Sequence, residues 1–273
     1  MARLEVATEF GELRVVGARD EIVRAAVELA CADAARAGHG IERLRFEGTD
    51  AWFKREVLFG KSRVRWGLKA LVLRAQLPRV AEYHHLHWLA ERLFQTPSPL
   101  AAGVFVRRGF PVRQFLITEH VAGSMPFESW FDGAPSGERV AVIDEVAREA
   151  ARMHALGFVH HDLFTRNLLV VPQDQARRAF FLDAWAGGPP PQMRGAAYDV
   201  ACFLLESGTR LQLSEADRFV DVYVEERVAQ GRPVKREEFV AHAARERGRL
   251  IDRLESRPAE RRGRAVPRRD ALG

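Results

Sequence analysis

Cysteine is scarce in this chain of 273 residues: Cys31 and Cys202 are the only two, too few for a disulfide framework or an all-cysteine zinc site. Both lie in apolar stretches with helical spacing, which reads as buried free thiols in a reducing compartment. Long hydrophobic runs are missing too. The stretch from Val200 to Leu205 falls far short of the roughly 20 residues of a membrane span, and Met1 to Glu9 lack the basic segment and apolar run of a secretory signal. A cytoplasmic protein is the expectation. Lysine is nearly absent as well, with only Lys54, Lys61, Lys69 and Lys235 among 42 basic residues. In so arginine-rich a chain, a lysine can mark a place where a compact, rotatable ammonium serves and a planar guanidinium does not.

What is present is a globular composition, 47% hydrophobic and 29% charged, with ample material for a core. The net charge of +5 is unevenly spread: the six arginines from Arg257 onward, against Glu260 and Asp270, contribute +4 of it. The body is therefore nearly neutral, and residues 258–273 read as a basic, disordered tail. Nucleic-acid binding stays a minor reading, because no aromatic stacking array or groove-reading motif accompanies the arginines.

Periodicity predicts a strand over 13–16 and an amphipathic helix over 20–37 that closes at Gly38. A hairpin follows, 41–46 and 51–58 about the turn Gly48-Thr49-Asp50, with Lys54 in its second strand. Residues 63–74 read as a basic and apolar helix, and Pro78 separates it from a helix over 79–94 that carries Glu82. Strands over 101–106 and 114–119 come next, then a polar connection from Gly123. The second half is mostly helical, over 138–156, 198–207 and 214–230, with short strands at 168–171 and 179–182. The expected fold is α+β, a small β-rich lobe over 1–121 and a larger helical lobe over 122–257.

The densest signal is Val159-His160-His161-Asp162-Leu163-Phe164-Thr165-Arg166-Asn167, which leads into an apolar strand. It reads His-x-Asp-Leu-x-x-x-Asn, the catalytic-loop pattern of protein-kinase-like phosphotransferases. Asp162 can accept a hydrogen bond from a substrate hydroxyl, and Asn167, five residues on, can offer an amide oxygen to a metal. The bland alternative is a loop whose Asp and Asn cap neighbouring turns. Sixteen residues after Asn167, Phe180-Phe181-Leu182-Asp183 ends a short strand with a hard oxygen donor suited to Mg²⁺. Upstream, Lys54 on its strand and Glu82, 28 residues later on a helix, stand where a phosphate-gripping lysine and its partner acid belong. Glu91 lies on the same helix, and a helix-start acid is the plain reading of Glu82.

Taken together, Leu44-Arg45-Phe46, Trp52-Phe53-Lys54, Glu82-Tyr83 through Trp88-Leu89, Phe115 to Glu119, Met153-His154 and His160-His161-Asp162 resemble the lipopolysaccharide kinase (Kdo/WaaP) family over roughly residues 40–230. The resemblance implies a protein-kinase-like bilobal fold and ATP-dependent phosphorylation of heptose or Kdo hydroxyls of the lipopolysaccharide inner core, at the cytoplasmic face of the inner membrane. It further implies Asp162 as catalytic base, Asn167 and Asp183 as magnesium ligands, and Lys54 with Glu82 as nucleotide clamp. The segment from Phe115 through Glu119 to Val121 would be the strand and hinge against adenine.

Departures narrow the substrate. His161 replaces the arginine that usually precedes the catalytic aspartate, Ala184-Trp185 replaces Phe-Gly after Asp183, and only 15 residues separate Asp183 from Asp199. That is too short for a peptide-docking activation segment, which favours a sugar lipid or small molecule over a protein. Asp199 is expected to open a helix and brace the catalytic loop, and His160 and His154 to pack. Gly38-His39-Gly40 supplies two glycines of a phosphate-covering loop without the third and stays open between that role and a connector. Lys61, Arg63, Arg65, Lys69 and Arg74, interleaved with apolar residues, fit either an anionic membrane surface or a helix packed with a solvated basic side. A soluble phosphotransferase of the aminoglycoside or choline kinase kind, or a nucleotide-binding pseudokinase, are the alternatives.

Overall fold

Period-two alternation organises the first part of the chain and helical periodicity the second. The computed structural model describes residues 1–36, 38–73, 75–172, 178–188, 195–207 and 210–256, and the chain divides after Ala122 into two compact units. Arg74, the Pro189 to Pro191 run and the basic tail lie outside the described residues.

The first unit opens with the hairpin β1 (Ala2–Thr8) and β2 (Gly11–Gly17), followed by α1 (Asp20–Asp33). A second hairpin, β3 (Gly40–Phe46) and β4 (Thr49–Val57), leads into α2 (Gly60–Leu73) and α3 (Pro78–Glu91). The third hairpin is β5 (Pro99–Arg107) and β6 (Phe110–Glu119). All six strands join one antiparallel sheet in the order β1-β2-β5-β6-β4-β3. Ile22, Val23, Ala26 and Ala30 of α1 share a core with Leu13, Phe53, Phe105, Phe115 and Ile117 on one sheet face, while α2 and α3 pack against β5 and β6. Because successive side chains point to opposite faces, Phe53 and Lys54 diverge: the first enters the α1 core and the second faces α3.

Several expectations are corrected here. Strand β1 adds to the sheet, its alternation too weakly apolar to read alone. Helix α1 stops at Asp33 instead of residue 37, because the Arg113 guanidinium from β6 donates to the Asp33 backbone oxygen at 2.9 Å and to the Arg36 backbone oxygen, capping the last carbonyls. The hairpin turn is Glu47-Gly48, both at positive φ (48° and 78°), so Thr49 and Asp50 already belong to β4. Gly38-His39-Gly40 leads from α1 into the sheet-edge strand β3.

The second unit contains β7 (Met125–Pro126), α4 (Phe127–Gly133), α5 (Ser136–Ala155), β8 (Leu168–Val171), β9 (Arg178–Phe181), α6 (Ala196–Ser207), α7 (Leu213–Ala229) and α8 (Arg236–Ser256). Strands β7, β8 and β9 form a small antiparallel sheet. Short 3₁₀ turns at Thr165–Asn167 and Ala184–Ala186 follow the catalytic-loop segment and β9. Helix α5 packs on α7, and α6 packs on α8. Phe203 stacks on Phe219 at 4.5 Å and meets Phe127 edge-on at 5.9 Å. Helices α4 and α8 replace what the sequence presents as polar connection and unassigned chain. Helix α8 is hard to see because charge dominates its composition, although Phe239, Ala243, Leu250, Ile251 and Leu254 bury one stripe. Among the described residues no helix is long and apolar enough to cross a membrane, and both cysteines are free thiols, Cys202 buried and Cys31 partly so.

Candidate active site

In the first unit the β4–β6 register sets Lys54 opposite Leu116, in the centre of the sheet and on the side of α3. Its Nζ donates to Glu82 Oε1 at 2.8 Å. Glu82 is 0% exposed, so its charge needs compensation. Arg79, one turn earlier on α3, supplies a second cation to Oε2 at 2.5 Å. The backbone N–H of Arg79 in turn donates to Gln114 Oε1 at 2.9 Å, and Gln114 Nε2 donates to Glu56 Oε2 at 2.9 Å. This polar chain ties the start of α3 to β4 and β6. Glu91, 58% exposed, pairs instead with His87 and Arg92, which separates it from Glu82.

The segment after β6 is anchored by backbone. Glu119 N–H donates to Ser98 O at 2.9 Å and His120 N–H to Asp50 O at 2.8 Å. Glu119 and Val121 are half-buried. Trp52, two residues before Lys54 and on the same sheet face, donates its indole N–H to His120 Nδ1 at 3.0 Å.

In the second unit the catalytic-loop segment is held from beneath by Asp199, which is buried in the first turn of α6. Its Oδ2 accepts the His160 N–H at 2.6 Å and its Oδ1 the His161 N–H at 2.7 Å. His154 Nε2 lies 3.1 Å from Oδ2, and the other nitrogen of that ring meets the Tyr223 hydroxyl at 2.8 Å. Burial pushes the Asp199 carboxyl upward, but the His154 bond, the His154 and His160 charges and the His160 amide together hold it below its ordinary range. The His160 ring bonds Leu182 O at 2.9 Å, and the His161 ring bonds Ala186 O at 3.0 Å. Val159 and Gly188 form an antiparallel bridge. A side chain at Gly187 would stand 2.5 Å from Val159 O, so the close approach of these two backbones requires glycine there.

Two non-glycine residues in this region adopt left-handed backbone: His161 at φ 62° and Asp183 at φ 57°. Strain of this kind persists only where surrounding bonds fix it, and it concentrates at functional sites. Between them, Asp162 offers a half-buried carboxylate. Its Oδ1 accepts Arg166 Nη2 at 2.9 Å and its Oδ2 accepts Asn167 Nδ2 at 3.0 Å. Burial pushes the Asp162 carboxyl above its usual range; Arg166 and His160 pull it back, the Asp183 charge adds to the rise, and the Asn167 bond opposes it.

Asn167 also donates to Asp162 O at 2.7 Å. With its nitrogen committed to Asp162, the amide presents its oxygen as the donor available to a metal. Asp183 follows β9, whose end is tied to the loop by Leu182 N–H donating to Asn167 O at 2.9 Å. Among the described residues no group of three or more His, Cys, Asp or Glu could hold a metal alone. One carboxylate plus one amide oxygen fits Mg²⁺, which completes its shell with water and substrate phosphates.

Sequence reasoning passes over Arg166, whose other nitrogen donates to Glu206 Oε1 at 2.8 Å while its backbone N–H donates to Glu206 Oε2 at 3.1 Å. The guanidinium lies 4.0 Å over the Phe164 ring. Its signal is present in the sequence as the one cation between Asp162 and Asn167, four residues from the acid. Arg79, Gln114 and His120 have no comparable local signal.

Residues 59–186 match the model of the lipopolysaccharide kinase (Kdo/WaaP) family. That span holds Glu82, Glu119, Val121, Asp162, Asn167 and Asp183, and begins after Lys54. No curated protein matches the chain. A solved structure of WaaP in complex with acyl carrier protein is 16% identical, with 87% of this chain and 99% of that one covered at a TM-score of 0.58. The chain thus has the fold of that WaaP structure, a β-rich N-terminal unit followed by a helical one, and the family match spans the end of the first unit and the start of the second.

Proposed function

We propose that the chain is an ATP- and Mg²⁺-dependent kinase whose acceptor is a sugar hydroxyl of the lipopolysaccharide inner core, heptose or Kdo, or of a similar glycolipid. The observation that carries the reading is the Asp162 carboxylate, held by Arg166 and Asn167 on a loop that Asp199 fixes from below. A hydroxyl acceptor needs an oriented hydrogen-bond acceptor more than a strong base, because the transition state of phosphoryl transfer is loose and the proton leaves late. Asp162 takes that role. Lys54, steered by Glu82, grips the nucleotide phosphates, and the backbone at Glu119 and Val121 meets the adenine. Asn167 Oδ1 and the Asp183 carboxylate hold the magnesium, which when bound neutralises phosphate charge. Positioning and charge compensation supply most of the acceleration.

The reading extends to the membrane surface. From Phe59 to Val72 the chain has four basic residues and no acidic one. Val64, Leu68, Leu71 and Val72 are exposed on one arc of α2, beside the exposed Lys61 and Arg65. Apolar residues flanked by cations suit an anionic bilayer that presents the glycolipid acceptor.

Transfer of labelled γ-phosphate to purified inner-core lipopolysaccharide, against a panel of soluble alcohols including choline and aminoglycosides, tests the reading. Label is expected in the lipopolysaccharide and absent with Asp162→Ala, whose nucleotide affinity stays near wild type. Equal turnover by the two proteins overturns the mechanism, and label confined to soluble alcohols overturns the acceptor.

A further inference from the structure

The buried stripe of α8 contains one residue of the wrong chemistry. Phe239, Ala243, Leu250, Ile251 and Leu254 follow three- and four-residue spacing, and Arg247 occupies the middle of that stripe at 9% exposure. Its Nε and Nη2 are buried and have no hydrogen-bond partner among the described residues. A buried guanidinium is ordinarily paired, since an uncompensated ion in an apolar surround is strongly disfavoured. Among the described residues no carboxylate pairs with it, and burial lowers its pKa.

Arg247 lines a cavity of about 710 Å³ among α6, α7 and α8, within the range of small-ligand sites. Leu204, Val220, Ala244 and Ile251 form much of its wall, and Leu213 and Val240 line it with exposed apolar surface. The two carboxylates that line it, Asp217 and Asp252, are exposed, and Asp217 pairs with Arg236.

We infer that this cavity binds a single-chain amphiphile with an anionic head, the carboxylate or phosphate meeting Arg247 and the alkyl chain lying along the α6–α7–α8 walls. The guanidinium fork suits either head, since both accept two parallel N–H donors. The site uses none of the residues assigned to phosphoryl transfer.

Calorimetric titration of the full chain with dodecyl phosphate, dodecanoate, dodecanol and inorganic phosphate, all below micellar concentrations, tests the inference. Both anionic amphiphiles are expected to bind at least tenfold more tightly than dodecanol, and inorganic phosphate more weakly than either. Arg247→Met should erase the preference for the anions and leave dodecanol unchanged, while raising the melting temperature. Equal binding of dodecanol and dodecanoate by the wild type overturns the proposal, as does a preference that survives Arg247→Met, or inorganic phosphate binding as tightly as dodecyl phosphate. Should Arg247→Met fail to fold, Leu204→Trp, which fills the cavity, decides: loss of dodecyl phosphate binding supports the site and its retention overturns it.

Discussion

Replacing Asp199 by Asn isolates the brace beneath the catalytic loop. The carboxylate accepts two backbone N–H groups at 2.6 and 2.7 Å and faces the His154 ring at 3.1 Å, at 0% exposure. Asparagine keeps the shape, but one of its two terminal atoms becomes a donor that points at another donor. Hydrogen bonds to a charged group contribute about 1.5–3 kcal/mol each, and removing one partner from a buried charged arrangement costs about 3–5 kcal/mol. A loss near 3–5 kcal/mol is therefore expected, a large share of the roughly 5–15 kcal/mol of a typical domain. The sign of the pH dependence is also fixed. Since the folded Asp199 carboxyl is held below its ordinary range, its contribution is complete above the unfolded value of about 3.9 and fades as pH falls through the folded one. Urea titrations of Asp199→Asn and wild type should differ fully at pH 7 and start to converge only as pH falls below about 4. A difference under about 1 kcal/mol at pH 7, against the 1.5–3 expected of even one such bond, would refute the reasoning.

Lys54→Met should lower kcat by roughly 10²–10³-fold, the scale for losing one transition-state charge contact. It should leave the melting temperature close to wild type, because Arg79 still compensates Glu82; a collapse of the fold would show that Lys54 is chiefly structural. Arg166→Gln removes the strongest influence that opposes burial at Asp162, so the acid limb of the kcat/KM profile, where Asp162 takes up its proton and ceases to act, should move to higher pH. An unmoved limb would separate Asp162 from that limb.

Local patterns made the candidate site legible and left its supports hidden. The spacing of His160, Asp162 and Asn167 is written in eight consecutive residues, and alternation through Trp52, Phe53 and Lys54 is enough to place a strand. Choosing Glu82 over Glu91 is different, because helical periodicity admits both; the distinction rests on packing of α3 against β5 and β6. Arg79 and Gln114 are bonded across 35 residues, and Arg113 caps α1 across 80, so neither has a local signature. Strand β1 gains its place by pairing with β2, and α8 by pressing a thin apolar stripe on α6. The stripe is obscured in sequence by Arg247, the residue that most distinguishes it.

The bonds from Asp199 to the His160 and His161 amides also bear on timescale. Loop amides usually exchange with solvent through small, frequent openings, whereas those bonded to a buried group must wait for the element that carries it to come away. Here that element is α6, packed against α8. The two amides that precede Asp162 should therefore be among the slowest to exchange in the second unit, and their protection should fall together with that of α6. A surface loop by sequence thereby shares the opening rate of the helical core.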